Sequence, residues 1–268
     1  MTSTSSPQEM YHTLSHRFRE EADEIGGQEG EIALKAIETV NTPLYATLGW
    51  QESGSEEVAQ RIHTLVRDEV MYILFLDKFH ETSQEHYRHM ADACRERVRT
   101  ALSAEQNKQL TALEKKLFVY WDVERDMISR MSSGDATLSE DIRELTLRKS
   151  TDVFAYATLL RTMQDVPKEV VLELYAHQLL RDVQGVIADL EEDAQEHMPN
   201  PLLLRLFLRG DYYSHVKYDQ QQLEEMARSM GVIEEQQQLV RDYCRTISAS
   251  LPPQYEWMRE CAGVEVSL

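Results

Sequence analysis

Hydrophobic residues recur at spacings of three and four along most of the chain, the period of an amphipathic helix. Glycine pairs, prolines and Ser/Asp-rich stretches separate the periodic segments, as expected for helix ends. The pattern predicts helices over about residues 7–25, 29–40, 56–81, 103–131, 140–163, 167–196, 202–208, 219–230, 232–248 and 253–260. Because the chain has only 10 Gly and 7 Pro, we predict an all-α bundle of about eight to ten helices around a central cavity.

The periodic segments follow one another without an internal repeat or a convincing linker. We therefore expect one all-helical domain over residues 8–262. A disordered polar tail is predicted at residues 1–7 and a second tail at residues 263–268.

One predicted helix ends in a row of carboxylates. A stripe that begins with Val171, Tyr175 and Gln178 continues at helical spacing through acidic side chains. These acids are Asp182, Asp189, Asp193 and Glu196. Acids on one helix face repel one another, so they need solvent, ions or a bound cation. A solvated acidic helix end and a metal site both fit this pattern.

A second row of carboxylates follows a buried stripe on the helix that begins near residue 56. Val66, Val70 and Ile73 lead along one face to Asp77 and Glu81. The run VMYILFL is apolar all round, which predicts a central helix. A carboxylate that continues a buried stripe must be paired, hydrogen-bonded or bound to metal. The alternative is a helix that emerges into water, since the following HETSQEHYRH is polar.

Two such clusters that face each other across a bundle cavity can share divalent cations. Mg²⁺ prefers carboxylate oxygens and usually keeps phosphate in its shell. The cationic candidates for diphosphate contacts are Arg148, Lys149 and Arg181. A site of this kind would remove a diphosphate group from its substrate.

Several segments together resemble the class I isoprenoid synthases, which include prenyl diphosphate synthases, squalene and phytoene synthases and terpene cyclases. EVMYILFLDKFHE is similar to the helix that ends in the first aspartate-rich motif of that family. Asp77 and Glu81 match its outer acids, and Lys78 stands where the family has its second aspartate. LRKSTDVFAYATLL resembles the family's segment in which a lysine and a small hydroxyl residue precede an apolar run. In this resemblance Lys149 is the phosphate-binding lysine.

HQLLRDVQGVIADLEEDAQE resembles the second metal-binding helix of the family. The sequence MPNP after it is a kind of helix end that is also familiar. The resemblance implies an isoprenoid synthase-like fold and a Mg²⁺-dependent enzyme that ionises a prenyl diphosphate, for terpene cyclisation or prenyl transfer. It implies metal binding by Asp77, Glu81, Asp182, Asp189, Asp193 and Glu196, and diphosphate binding by Arg148, Lys149 and Arg181. Asp77, Asp189 and Lys149 would be the catalytic residues.

Two further expectations refine this hypothesis. Residues 25–50 contain no GGKRxRP-like basic motif, so cyclisation or diphosphate loss from one substrate fits better than chain elongation. We expect Asp189 and Asp193, rather than Asp182, to point at Asp77, within about 10 Å across one cavity.

Two other functions remain open from the sequence. A non-catalytic helical scaffold that binds a partner predicts that Asp77 and Asp189 are exposed or far apart. A di-iron carboxylate bundle requires Glu-x-x-His pairs, and Asp77 with His80 has a comparable spacing. His86 and His89 lie in a polar stretch and are expected at the surface.

Net charge, cysteine usage and hydropathy limit the kinds of partner and the cellular location that fit the sequence. A net charge of −19 argues against nucleic acid, whose phosphates demand a basic surface. Cys94, Cys244 and Cys261 are widely spaced, which indicates a reducing, cytoplasmic location. No stretch approaches the roughly 18 apolar residues of a membrane span. The predicted partner is a prenyl diphosphate, with no integral membrane segment and a possible homodimer.

Overall fold

The computed structural model describes residues 5–133, 138–148, 150–196, 200–210, 216–247 and 251–261. Those residues form helices and connecting turns and no strand, which confirms the all-α prediction. The helices are more numerous than expected. They are α1 (Pro7–Ile25), α2 (Gly27–Val40), α3 (Thr42–Ser53), α4 (Glu56–Thr82), α5 (Glu85–Ala101), α6 (Ala104–Ser133), α7 (Leu138–Arg148), α8 (Val153–Arg161), α9 (Lys168–Ala188), α10 (Leu190–Glu196), α11 (Pro201–Arg209), α12 (Gln220–Ser229), α13 (Val232–Ile247) and α14 (Trp257–Cys261), with a 3₁₀ turn at Pro253–Tyr255.

The chain divides into two compact units, and the single domain over residues 8–262 stays a prediction. Unit 1 comprises Met1–Ala112, Phe154–Val171 and Leu251–Glu265. Unit 2 comprises Leu113–Val153, Leu172–Ser250 and Val266–Leu268. Each described helix is too short or too polar to cross a membrane.

Helix α4 is the central element of unit 1, as its apolar sequence predicts. Ser55 caps its first turn by accepting a hydrogen bond from the Val58 amide at 3.4 Å. Val66, Val70 and Phe75 are all buried, and α4 packs against α2, α3 and α5. The central position predicted for this helix is therefore confirmed.

Helices α1 and α2 approach each other closely at Gly30. A Cβ atom built there would lie 2.7 Å from the Ala22 carbonyl oxygen, closer than real Cβ atoms come. The obstacle is backbone, so the two helices would have to move apart to accept a side chain.

We expect Gly30→Ala to lower the free energy of unfolding by about 1–3 kcal/mol, the usual cost of overpacking. Alanine has the higher helix propensity, by about 1 kcal/mol, so the clash must outweigh that gain. Gly185→Ala is the matched control, because its Cβ would find its nearest neighbour 4.0 Å away at Asp189 Oδ2. Urea denaturation should show Gly185→Ala neutral or stabilised, and equal stability of the two variants would contradict the packing argument.

His63 on α4 is a buried, neutral contact for helix α1. Its ring stacks on Phe18, with centroids 3.4 Å apart and an interplanar angle of 7°. Its Nδ1 atom lies 3.1 Å from the Thr42 hydroxyl. Burial, with smaller contributions from the charges of Arg67 and Arg17, lowers the pKa of His63 well below its usual 6.5. Protonation of His63 therefore opposes folding.

We expect the wild-type protein to lose stability as the pH falls below about 6.5, where unfolded histidine gains a proton that folded His63 resists. The slope from this residue is at most about 1.4 kcal/mol per pH unit, and the loss ends at the lowered folded pKa. His63→Gln should remove this component from urea unfolding curves taken between pH 7.5 and 5. His16→Gln, at an exposed position, should retain it. A pH dependence unchanged by His63→Gln would refute the assignment.

The core of unit 2 centres on the short helix α11. Leu202, Leu203 and Leu206 pack with residues of α9, α10, α12 and α13. A second group of buried side chains joins Leu204 to α6 and α7. Helix α11 therefore lies in the hydrophobic core of unit 2.

The continuous helix predicted over residues 167–196 is wrong, because the structure divides it at Asp189. The side chain of Gln220 reaches the helix at this point. Its Nε2 atom donates to the Ile187 carbonyl at 2.7 Å, and its Oε1 atom accepts from the Glu191 amide at 3.0 Å. These two backbone groups would otherwise bond to each other in a helix. The inserted amide thus explains the break.

Two other predicted elements need correction. The helix expected over residues 140–163 is divided into α7 and α8, with Ser150 in the turn between them. Residues 85–101, a polar stretch without a predicted helix, form α5, which buries a narrow stripe of Ala91, Cys94 and Val98.

Candidate functional site

The segment LRKSTDVFAYATLL contacts helix α9 at Asp182. Ser150, which is fully buried, donates its hydroxyl hydrogen bond to Asp182 Oδ2. Gln178, one turn earlier on α9, donates from Nε2 to Asp182 Oδ1 at 2.8 Å. Both oxygens of the partly buried Asp182 carboxylate are thereby oriented. Two segments that the sequence pointed to separately are in direct contact.

The turn between α7 and α8 is held by specific hydrogen bonds. The Tyr175 hydroxyl donates to the Leu147 carbonyl near the end of α7. The Thr151 amide bonds to the Arg148 carbonyl at 3.1 Å. Asp152 Oδ1 accepts from the Val153 amide at 3.0 Å, where α8 begins. The turn thereby positions Ser150 in contact with Asp182 on α9.

Asp189 is exposed at the break between α9 and α10. Its amide still bonds to the Gly185 carbonyl at 2.9 Å, and its carbonyl accepts from the Asp193 amide at 2.8 Å. These bonds preserve the helical register across the break. Asp182, Asp189 and Asp193 therefore follow one another at the spacing that the sequence predicts.

Asp193 has a structural contact with the start of α11. Asn200, which is 1% exposed, donates from Nδ2 to Asp193 Oδ2 and to the Val186 carbonyl, both at 2.8 Å. Its Oδ1 atom accepts from the Leu202 amide at 2.9 Å and caps α11. The Asp193 carboxylate thus helps to hold α10 against α11.

Two of the three predicted cationic residues belong to the described part of the chain. Arg148, the last residue of α7, is half-exposed and forms an ion pair with Glu144 at 2.6 Å. Arg181 lies next to Asp182 on α9 and is partly buried. Lys149 lies outside the described residues.

The remaining predicted acids belong to α4 and α10. Asp77 is partly buried near the end of α4 in unit 1. The side chains of Glu81 and Glu196 lie outside the described residues, although α4 and α10 include their positions. The approach of Asp77 to Asp189 stays a prediction.

The sequence interpretation missed a buried acid–base pair on α9. Glu173 and His177 are 1% and 3% exposed, and Glu173 Oε1 lies 3.2 Å from His177 Nε2. Burial, and then the charge of Glu173, raises the pKa of the Cys244 thiol to about 12. The available signal was a Glu and a His four residues apart within the largely apolar VVLELYAHQLL.

Asp182, Asp189 and Asp193 form an acidic stripe, and its oxygen donors fit Mg²⁺ better than a redox metal. Asp182 and Asp189 offer oxygen donors, which Mg²⁺ prefers. Within the described part of the chain, no three His, Cys, Asp or Glu side chains converge on a common point. Mg²⁺ is often held by one or two carboxylates, with water and substrate phosphate completing its shell. His86 and His89 are exposed, as expected.

Comparison with known proteins identifies no relative. No protein-family model, curated protein or solved structure matches this chain.

Proposed function

We propose that this protein is a Mg²⁺-dependent, isoprenoid synthase-like enzyme that ionises a prenyl diphosphate, for terpene cyclisation or prenyl transfer. The observation that carries the proposal is the hydrogen bond from Ser150 to Asp182. It joins the segment proposed to bind diphosphate to the helix proposed to bind metal. A carboxylate held by two donors is pre-organised for a ligand, which lowers the cost of binding.

The residues at the end of α9, at the break after it and on α10 have distinct proposed roles. Asp182 and Asp189 would hold Mg²⁺, and Asp193 would support them while it stays bonded to Asn200. When bound, Mg²⁺ supplies positive charge that stabilises the departing diphosphate. Arg181 would contact the anionic oxygens, since a guanidinium donates in a planar fork that matches phosphate. Arg148 and Lys149, at the end of α7 and just after it, would add to this binding.

A second candidate function is a non-catalytic helical scaffold. The exposure of Asp189 is the observation that favours it, because a scaffold needs no sheltered carboxylates. This alternative assigns Asp182 a purely structural role as the acceptor for Ser150 and Gln178. The two functions therefore differ in whether the Asp182 region binds an anion in the presence of Mg²⁺.

Calorimetric titration of inorganic diphosphate into the full-length protein tests the proposal. We expect binding in the presence of Mg²⁺ that weakens at least about tenfold when the cation is omitted, because the acidic stripe repels an uncompensated anion. Asp126→Asn, an exposed acid on α6, is the control and should bind as the wild type does. Absence of Mg²⁺-dependent binding would favour the scaffold.

A further inference from the structure

Helix α6 carries two exposed valines one turn apart. Val119 and Val123 are 59% and 41% exposed, and Val119 is the most exposed of the large hydrophobic side chains that the structure describes. The same helix is packed elsewhere on its circumference, where Leu117 and Met127 are buried. Single exposed apolar residues are ordinary, but two at a four-residue spacing lie side by side on a helix. They form a small apolar patch in contact with water.

Charges of opposite sign lie at the two ends of this patch. Lys116 precedes the valines and Asp126 follows them, and both residues are exposed. Lys116, Val119, Val123 and Asp126 succeed one another at spacings of three, four and three residues. They therefore lie within about 80° of one another around the helix axis. This is the spacing of a coiled-coil contact, and we call these four residues the α6 seam.

The order of residues along the α6 seam makes it complementary to itself in the antiparallel direction. When two copies of α6 pair antiparallel, Val119 of each copy faces Val123 of the other, and Lys116 of each faces Asp126 of the other. A twofold axis repeats each of these contacts. A parallel pair would instead bring lysine against lysine and aspartate against aspartate, which repel. The charges therefore favour the antiparallel arrangement.

We infer that the α6 seam is the interface of an antiparallel, twofold-symmetric homodimer. Two copies with a net charge of −19 each repel one another, but at about 0.15 M salt the screening length is about 8 Å. The ion pairs in the seam therefore act while the longer-range repulsion is damped. The seam covers about 15 Å of helix and is smaller than a standard interface, so the dimer is weak and depends on concentration. The inference is independent of the proposed function, because none of the seam residues belongs to the proposed diphosphate site.

Analytical ultracentrifugation of the full-length protein measures the association. At concentrations of about 1–300 µM, the range expected for a small interface, the mean mass should rise from that of one chain toward that of two. Lys116→Asp places like charges in both symmetric contacts and should raise the dissociation constant at least about tenfold. Lys35→Asp, at an exposed position on α2, changes the net charge equally and should associate as the wild type does. A wild-type protein of one-chain mass at every concentration would overturn the inference.

A charge-swapped variant tests the antiparallel register. Lys116→Asp combined with Asp126→Lys restores opposite charges in each contact and should return the dissociation constant to within about threefold of the wild-type value. In a parallel dimer the double variant would still oppose like charges, and Lys116→Asp alone would replace one repulsion with another. Both positions are exposed, and circular dichroism checks that each variant is folded. A dimer that Lys116→Asp leaves unchanged, or that the double variant fails to restore, would overturn the assignment of the interface.

Discussion

Asp182→Asn should reduce Mg²⁺-dependent release of diphosphate from a prenyl diphosphate by about 100-fold or more. Asparagine keeps the size of the side chain and can still accept a hydrogen bond from Ser150 or Gln178. The variant therefore removes the negative charge while it retains much of the local structure. Asp126→Asn changes the net charge equally at an exposed site on α6 and should leave the rate unchanged. Initial rates measured with a coupled diphosphate assay give the comparison.

Ser150→Ala distinguishes the contribution of the orientation of Asp182 to the reaction rate from the contribution of its charge. The substitution removes the hydroxyl donor and leaves the carboxylate and Gln178 in place. Loss of a hydrogen bond that orients a metal ligand typically costs about 10–100-fold. We expect an intermediate loss of rate, smaller than that of Asp182→Asn. A wild-type rate in both folded variants would contradict a role for this contact in the reaction.

Asn200→Ala should lower the free energy of unfolding by about 2–4 kcal/mol, the largest stability effect that we expect at the candidate site. The change removes the cap of α11, worth about 1 kcal/mol, and leaves the buried Val186 carbonyl without this donor, at about 1–3 kcal/mol. It also removes the donor to Asp193. Urea denaturation followed by circular dichroism measures the difference.

Ser55→Ala is the matched control for Asn200→Ala. Ser55 also caps a helix through its side chain, but its single capping bond to the Val58 amide lies near the surface. Its loss should cost about 1 kcal/mol. Equal losses from the two variants would show that Asn200 acts as a helix cap alone, without the tertiary contribution.

Local signals in the sequence predicted much of the helical structure. α1 begins at Pro7 and ends at Ile25, as expected. Ser103 and Gln106 form the capping box that their spacing indicates, with bonds of 2.8 and 3.3 Å. These features depend on residues within one turn of each other. Sequence periodicity and capping chemistry were therefore sufficient to predict the ends of α1 and this capping box.

The helix breaks depended on partners far along the chain. Gln220 divides α9 from α10 although 29 positions separate it from Glu191. Ser150 and Tyr175 hold the turn after α7 through contacts that span 32 and 28 positions. Hydrophobic periodicity carries no information about such contacts, because the flanking segments keep their helical pattern.

The candidate site was predictable as a set of segments but not as a set of contacts. The acidic stripe and the LRKST segment stood out by composition, and both belong to the site proposed here. The sequence favoured Asp189 and Asp193 over Asp182 as the acids directed at Asp77. Asp182 is instead the acid that Ser150 contacts, and Asp193 binds Asn200. A row of similar carboxylates does not reveal which one a distant side chain will orient.

Release of diphosphate from geranyl, farnesyl and geranylgeranyl diphosphates, followed with and without Mg²⁺, tests the central claim most directly. The proposed function predicts multiple turnovers of at least one substrate, with a prenyl hydrocarbon or alcohol as the organic product. It also predicts loss of that turnover on chelation with EDTA and in Asp182→Asn. Intact substrate after prolonged incubation with folded wild-type protein and Mg²⁺, together with no Mg²⁺-dependent binding of diphosphate, would contradict it.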